Sequence, residues 1–276
     1  MNTTQYSDLI RSRKSCRSYL KKAVRTDQLG AIRDYWDTLG LSPFGDDLHF
    51  AFLQQRVGTY GLLKNPPTFV VGTGRLSPTF FLSYGYLIEH IVLHMVGMGL
   101  GTCWVGGYRT GSQGFDVDIP DGYQTGAVVA FGYPAEKKAI VERTIHSFIQ
   151  PRKRKLHHEL FFEDDFNHPA GDDISGRYAD VFEMVRIAPS AANKQPWRLV
   201  ATESFSTVHF FLQRTTASKV YERKHLQQID IGIAMCHFDL ALRDSHIGGE
   251  WRIDDPGITS PQAEYVASWK KTEGLG

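Results

Sequence analysis

The sequence predicts an α+β protein built as two repeated halves, and three observations carry that expectation. Helix-period and strand-like apolar patterns alternate along the chain. The order helix, loop, strand, second strand, long helix, Trp occurs twice. Gly85, His90, Leu93 and Trp104 also recur as Gly232, His237, Leu240 and Trp251 at one constant offset, 232 − 85 = 147.

Length and charge set bounds on these halves. The 276 residues suffice for one large domain or two intimate halves. A net charge of +1 argues against bulk nucleic-acid binding. Three widely spaced cysteines, with no Cys-x-x-Cys, argue against a disulfide framework and a structural zinc site. The N-terminus has no apolar signal core, and no apolar run reads as long enough to span a bilayer. The expectation is a cytoplasmic protein without membrane or nucleic-acid partners.

Tyr6 to Arg13 reads as a short helix burying Leu9 and Ile10. Seven cations and no acid follow between Arg11 and Arg25. A solvated basic face explains such a run. So does an anion site, because the forks of Arg13 and Arg17 with Lys14 and the Ser15 hydroxyl can surround a phosphate. Thr26 to Thr38 is helical by pattern, Leu41 to Asp47 is a loop, and Leu48 to Leu53 alternates as a strand. Thr68 to Gly72 is a buried strand and Ser83 to Gly97 a long helix. His90 and His94 lie four apart on it, but no further ligand joins them, so they read as packed histidines and no metal is expected. The glycines from Gly97 to Gly107 mimic a dinucleotide fingerprint in the wrong context, since they end a helix. Cys103 reads as packed. Gly126 to Pro134 is a buried strand. Glu163 to Gly176, acidic and polar with Pro169, is the linker candidate dividing 1–162 from 163–276. The second half brings a Tyr178 helix, strands at Arg198–Ala201 and Thr207–Gln213, a helix over about Gln228–Arg243, and a tail with no recognisable chemistry.

Ala188 to Trp197 is the most informative stretch. Pro189 and Pro196 exclude a continuous helix. Asn193 and Gln195 each offer a donor and an acceptor, which suits the polar edge of a heterocycle. The alternative is a helix-ending loop whose Ser190 and Asn193 satisfy local backbone groups.

The stretch resembles the Ala-Pro-Ser-Ala-x-Asn-x-Gln-Pro-Trp signature of the FMN-dependent nitroreductase family, which lies beside the flavin ring. Arg13-Lys-Ser-Cys-Arg17 resembles that family's Arg-Arg-Ser-x-Arg phosphate motif. Lys14 takes the second Arg place, keeping charge but losing the fork. Gly99-Leu-Gly-Thr-Cys-Trp-Val-Gly-Gly107 resembles the glycine segment whose backbone meets the flavin, and Arg152 and Arg154 resemble a basic pair at the FMN phosphate. Family members are homodimers with FMN at the subunit interface. In this chain the amide loop comes in the second half, and Leu41–Asp47 is a copy without amides. The resemblance therefore points to an internally duplicated branch similar to the TM nitroreductases. The implied fold has two pseudo-repeated halves, each a mainly antiparallel sheet flanked by helices, mimicking the family homodimer.

The resemblance also implies one FMN between the halves. Its site would comprise Arg13, Lys14, Ser15, Arg17, Gly101, Thr102, Cys103, Trp104, Arg152, Arg154, Pro189, Ser190, Asn193 and Gln195. NADH or NADPH would serve as co-substrate and a nitroaromatic, quinone or similar small molecule as acceptor. No side-chain catalytic residue is expected, because flavin carries the chemistry. The chain would be a monomeric pseudo-dimer, with further self-association left open. The alternatives are an FMN protein of the same fold with other chemistry, and a non-catalytic flavin-binding or regulatory protein.

Overall fold

The computed structural model describes residues 5–53, 62–108, 119–135, 153–171, 178–215 and 225–272. In chain order the first half holds α1 (Tyr6–Ser12), α2 (Thr26–Leu39), β1 (Leu48–Leu53), β2 (Thr68–Arg75), α3 (Phe80–Gly97), β3 (Gly101–Val105), β4 (Tyr123–Thr125) and β5 (Val128–Gly132). After α4 (His157–Leu160) come β6 (Phe161–Glu163), α5 (Tyr178–Arg186), β7 (Trp197–Thr202), β8 (Thr207–Leu212), α6 (Leu226–Asp244), β9 (Gly249–Arg252) and β10 (Glu264–Lys271).

The halves repeat in topology as well as in sequence. One sheet runs β1-β2-β5-β3, with β4 also paired to β2, and all its pairings are antiparallel. The other runs β6-β7-β8-β10-β9, and only the β6–β7 pairing is parallel. With β4 and β6 set aside, β1-β2-β5-β3 and β7-β8-β10-β9 are the same path. The tail without recognisable chemistry therefore supplies two strands, β9 and β10, one of them internal to the second sheet. The expected division at 162/163 falls inside β6, which belongs to the second sheet. Part of the expected linker is also tied down, since Asp164 N–H donates to Ala201 O at 2.9 Å and Phe162 bridges Pro169.

The two long helices form the centre. α3 and α6 make the most extensive contact between any two described elements. α3 is long and apolar enough to cross a membrane, contrary to the expectation from sequence, but 83% of it is buried inside the protein. It is apolar all round because it has protein on every side. The helices cross at glycine. A Cβ on Gly85 would lie 2.1 Å from Ile229 O, and one on Gly232 would lie 2.0 Å from Leu82 O. These contacts are reciprocal, since 229 − 82 and 232 − 85 both equal 147. The sequence offset is thus a pseudo-twofold relation in space, with its axis at the crossing.

Candidate functional site

The basic run is fixed against β3. Ser15 bridges Thr102 in parallel, and Cys16 N–H donates to Thr102 O at 2.8 Å. Gly101 permits this approach, because a Cβ there would come within 2.7 Å of Cys16 Sγ. Arg13 and Arg17 flank the bridge, both half-buried, while Lys14 between them is exposed. Arg13 Nε, Arg17 Nη1 and Thr102 Oγ1 are buried and have no hydrogen-bond partner. Burial lowers the Arg13 pKa; Glu89 and Cys103 oppose that shift and Arg17 adds to it. An unmade buried hydrogen bond costs about 1–3 kcal/mol. Such donors on one basic segment and on the strand it bridges make a candidate cradle that an anion would complete.

The amide loop comes from the second half, and Arg154, which it holds, lies close enough to Arg13 for their charges to interact. After α5, Ala188 and Pro189 are buried. Ser190 O accepts from Asn193 N–H at 3.0 Å, and Ser190 Oγ accepts from Gln195 N–H at 2.9 Å. Ala192, Asn193 and Gln195 have φ of 48°, 56° and 49°, left-handed conformations in which the small and amide side chains of this motif are tolerated better than branched ones. Ala191 N–H donates to both Asp230 oxygens, at 2.9 and 3.1 Å, and burial pushes that carboxyl's pKa well above its usual range.

The amide side chains grip the segment 153–155. Asn193 Nδ2 donates to Lys153 O at 2.8 Å, and Lys155 N–H donates to Gln195 Oε1 at 2.9 Å. Gln195 Nε2 donates to Asn193 O at 3.1 Å. Arg154 closes the clasp. Its Nη1 donates to Ala188 O and Asn193 Oδ1, and its Nη2 to Ile187 O, all at 2.8 Å. Burial, with Arg13 and Arg186 nearby, brings its pKa down to about 10, so it stays cationic at neutral pH. The polar atoms expected to meet a heterocycle thus bind residues 153–155, 40 positions away in sequence, while the Ser190 hydroxyl satisfies a nearby backbone N–H, as the alternative reading of the loop has it. Arg154 brings its charge toward Arg13 while its fork is spent on the loop. Arg152 lies outside the described residues.

The first-half copy of the loop is built differently. The offset places Asp46 at Asn193 (193 − 147 = 46) and Leu48 at Gln195 (195 − 147 = 48). Asp46 accepts hydroxyl hydrogens from Ser77, Thr79 and Ser83. This loop carries a carboxylate where the other carries amides.

The glycine segment becomes β3. Cys103 is buried, and Trp104 Nε1 donates to Glu89 Oε2 at 2.6 Å. Glu89 also meets His237 from α6, at 2.9 Å. Sequence reasoning used His237 only as a repeat position and gave Glu89 no role. The signal available was a single carboxylate in an otherwise uncharged helix. His94 stacks on Tyr35 at 4.1 Å between ring centroids, and the described residues contain no cluster of three or more His, Cys, Asp or Glu able to hold a metal.

A duplicated α+β fold with paired arginines against the third strand defines a nitroreductase-like protein. The chain belongs to the family described as "Putative TM nitroreductase", whose model matches residues 6–242. The crystal structure of a protein described as a "putative nitroreductase" from Thermotoga maritima superposes with a TM-score of 0.62 at 18% identity, covering 98% of this chain and 94% of that one. A nitroreductase family protein from Clostridium novyi aligns at 21% identity with a TM-score of 0.41, covering 49% of this chain and 89% of its own. A nitroreductase with bound FMN from Bacteroides fragilis aligns at 19% identity with a TM-score of 0.38, covering 50% and 92%. No curated protein matches the chain.

Proposed function

We propose that this chain is an FMN-dependent oxidoreductase of nitroreductase type, binding one FMN between its halves and passing hydride from NADH or NADPH to a nitroaromatic, quinone or similar acceptor. The observation that carries the reading is the orphaned cradle of Arg13 Nε, Arg17 Nη1 and Thr102 Oγ1 in a chain of this family. Those groups fit a phosphate, because two guanidinium donors and a hydroxyl supply charge and direction together. Ser15 sits on the same bridge, and exposed Lys14 adds longer-range attraction. The β3 backbone from Gly101 to Trp104 supports one side of the ring site. Pro189, Ser190, Asn193 and Gln195 shape the side contributed by the second half, with Arg154 as the pin that holds their loop. When bound, FMN supplies the hydride chemistry. The protein's own work is to bind the phosphate, hold the ring site in shape and leave it reachable from solvent.

The clasp favours a second reading. Asn193 and Gln195 spend their amides on residues 153–155, which suits an FMN protein with other chemistry or a non-catalytic role. Oxidation of NADH or NADPH by the FMN-loaded chain, with a quinone or a nitroaromatic as acceptor, separates the two. Acceptor-dependent turnover supports the oxidoreductase. A flavin-loaded chain that oxidises neither nucleotide with any such acceptor overturns it in favour of the second reading.

A further inference from the structure

One polar arrangement is present on one side of the pseudo-twofold and missing on the other. Glu89 and His237 are both fully buried, 148 positions apart in sequence, with Oε1 of one 2.9 Å from Nε2 of the other. His237 Nδ1 lies 3.0 Å from the Met184 carbonyl oxygen. A carbonyl only accepts, so Nδ1 carries a hydrogen, and the Nε2–Oε1 contact needs one more proton shared between ring and carboxyl. The second carboxyl oxygen accepts from Trp104 Nε1 at 2.6 Å. Three elements therefore meet at one carboxyl, α3 through Glu89, α6 through His237 and β3 through Trp104, and α5 joins them through the Met184 carbonyl at the other ring nitrogen of His237. The charged and titratable groups facing it are Arg13 and Cys236, with His90 facing His237.

The offset maps Trp104 to Trp251, His237 to His90, and Glu89 to Cys236 (89 + 147 = 236). A thiol is a weak acceptor where a carboxyl is a strong one. Trp251 Nε1 is buried without a partner. His90 meets the Tyr35 hydroxyl at 3.4 Å, and burial takes its pKa down to about 3, so it stays neutral. The side that has lost the carboxyl is also served by the loop without amides. The side that keeps it carries Arg13, Arg17 and the Gly101–Trp104 strand. Anchor and cradle have survived together.

We propose that Glu89 and His237 are positioning residues of the cofactor site, anchoring Trp104 and with it the β3 backbone from Gly101 to Trp104. The cofactor part of this inference rests on the flavin reading above; the anchor does not.

Two variants of the full-length chain separate anchoring from charge. Glu89→Gln keeps the contacts, because its amide oxygen accepts from Trp104 and its amide nitrogen donates to His237 Nε2. Glu89→Cys copies the other side and leaves both partners open. The first readout is the Trp104 indole N–H in a nitrogen-resolved NMR spectrum without FMN, assigned with Trp104→Phe. It should be protected from exchange in the wild type and in Glu89→Gln, and unprotected in Glu89→Cys. The second readout is an FMN titration. Glu89→Cys should weaken binding by about 10-fold or more, the effect of losing a charged hydrogen bond, and change the visible flavin spectrum. Glu89→Gln should stay within about threefold of wild type, since neutral isosteres that keep their partners cost little. Trp104→Phe, which leaves the Glu89–His237 pair in place, should weaken FMN as Glu89→Cys does, and it decides the matter if Glu89→Cys fails to fold. Wild-type affinity in Glu89→Cys or Trp104→Phe overturns the proposal. So does a loss in Glu89→Gln equal to that in Glu89→Cys, which would assign the effect to charge. A wild type with a protected indole that takes up no FMN overturns the flavin reading and the pair's cofactor role but not the anchor; an unprotected wild-type indole overturns the anchor.

Discussion

Arg13 bears most of the account at the residue scale. Its Nε is buried and unpartnered while its charge is only partly offset by Glu89. Such a group is costly unless a ligand repays the cost. Arg13→Ala should therefore weaken FMN binding by roughly 10- to 150-fold, from about 1.5–3 kcal/mol for a charged hydrogen bond. Arg17→Ala should act the same way, and Lys14→Ala should cost less because Lys14 is exposed. Titration of each variant with FMN at two salt concentrations checks this. Equal affinity in all three would remove the phosphate from the cradle. The motif around Arg13 was legible because forks and a hydroxyl in one short run are a chemical pattern. The geometry of Asn193 and Gln195 was not, because an amide's two valences suit a heterocycle or a backbone segment equally well, and only the position of Lys153 to Lys155 decides between them.

At the scale of elements, the crossing of α3 and α6 is the feature with least slack. Each helix offers a glycine to a backbone carbonyl of the other, with no room for a methyl group. Gly85→Ala and Gly232→Ala should each destabilise the fold by about 1–3 kcal/mol or more, since rigid backbone has to move. Gly30→Ala is the control. Gly30 lies within α2 with nothing near its missing Cβ, and a helix-interior Gly→Ala change should stabilise by about 0.5–1 kcal/mol. Urea unfolding of the three variants tests this, and a harmless Gly85→Ala would contradict the close crossing. The helices themselves were legible from apolar runs, and the expected Leu48–Leu53 strand coincides with β1. β9 and β10 were not, because their partners are each other and β8, distant in sequence and set by long-range pairing. The length of α3 was misjudged for a related reason. Its start at Phe80 is set by groups distant in sequence, the Asp46 carboxylate holding the Thr79 and Ser83 hydroxyls, which local pattern does not contain.

Across the whole molecule, the repeat and its breaks describe the same object. The equal offsets at the helix crossing and the matched strand orders give two halves related by a pseudo-twofold. The polar groups break that symmetry in one direction only: Asn193 against Asp46, Gln195 against Leu48, Glu89 against Cys236. The repeat was legible because an offset needs only identities. The direction of the asymmetry lies in the indole nitrogens, Trp104 Nε1 held by Glu89 and Trp251 Nε1 without a hydrogen-bond partner. In a symmetric dimer every interface site occurs twice. A chain holding both halves is free to keep one site and lose the other, and these breaks all fall on one of the two. The central claim is a single flavin site per chain. It is tested most directly by quantifying flavin against protein after saturation with FMN and removal of the excess. The account predicts about one FMN per chain, as fits one intact site out of a symmetric pair. A value near two would mean that the Asp46 and Cys236 side also binds, contradicting the asymmetry, and a value near zero would mean that the cradle holds no flavin.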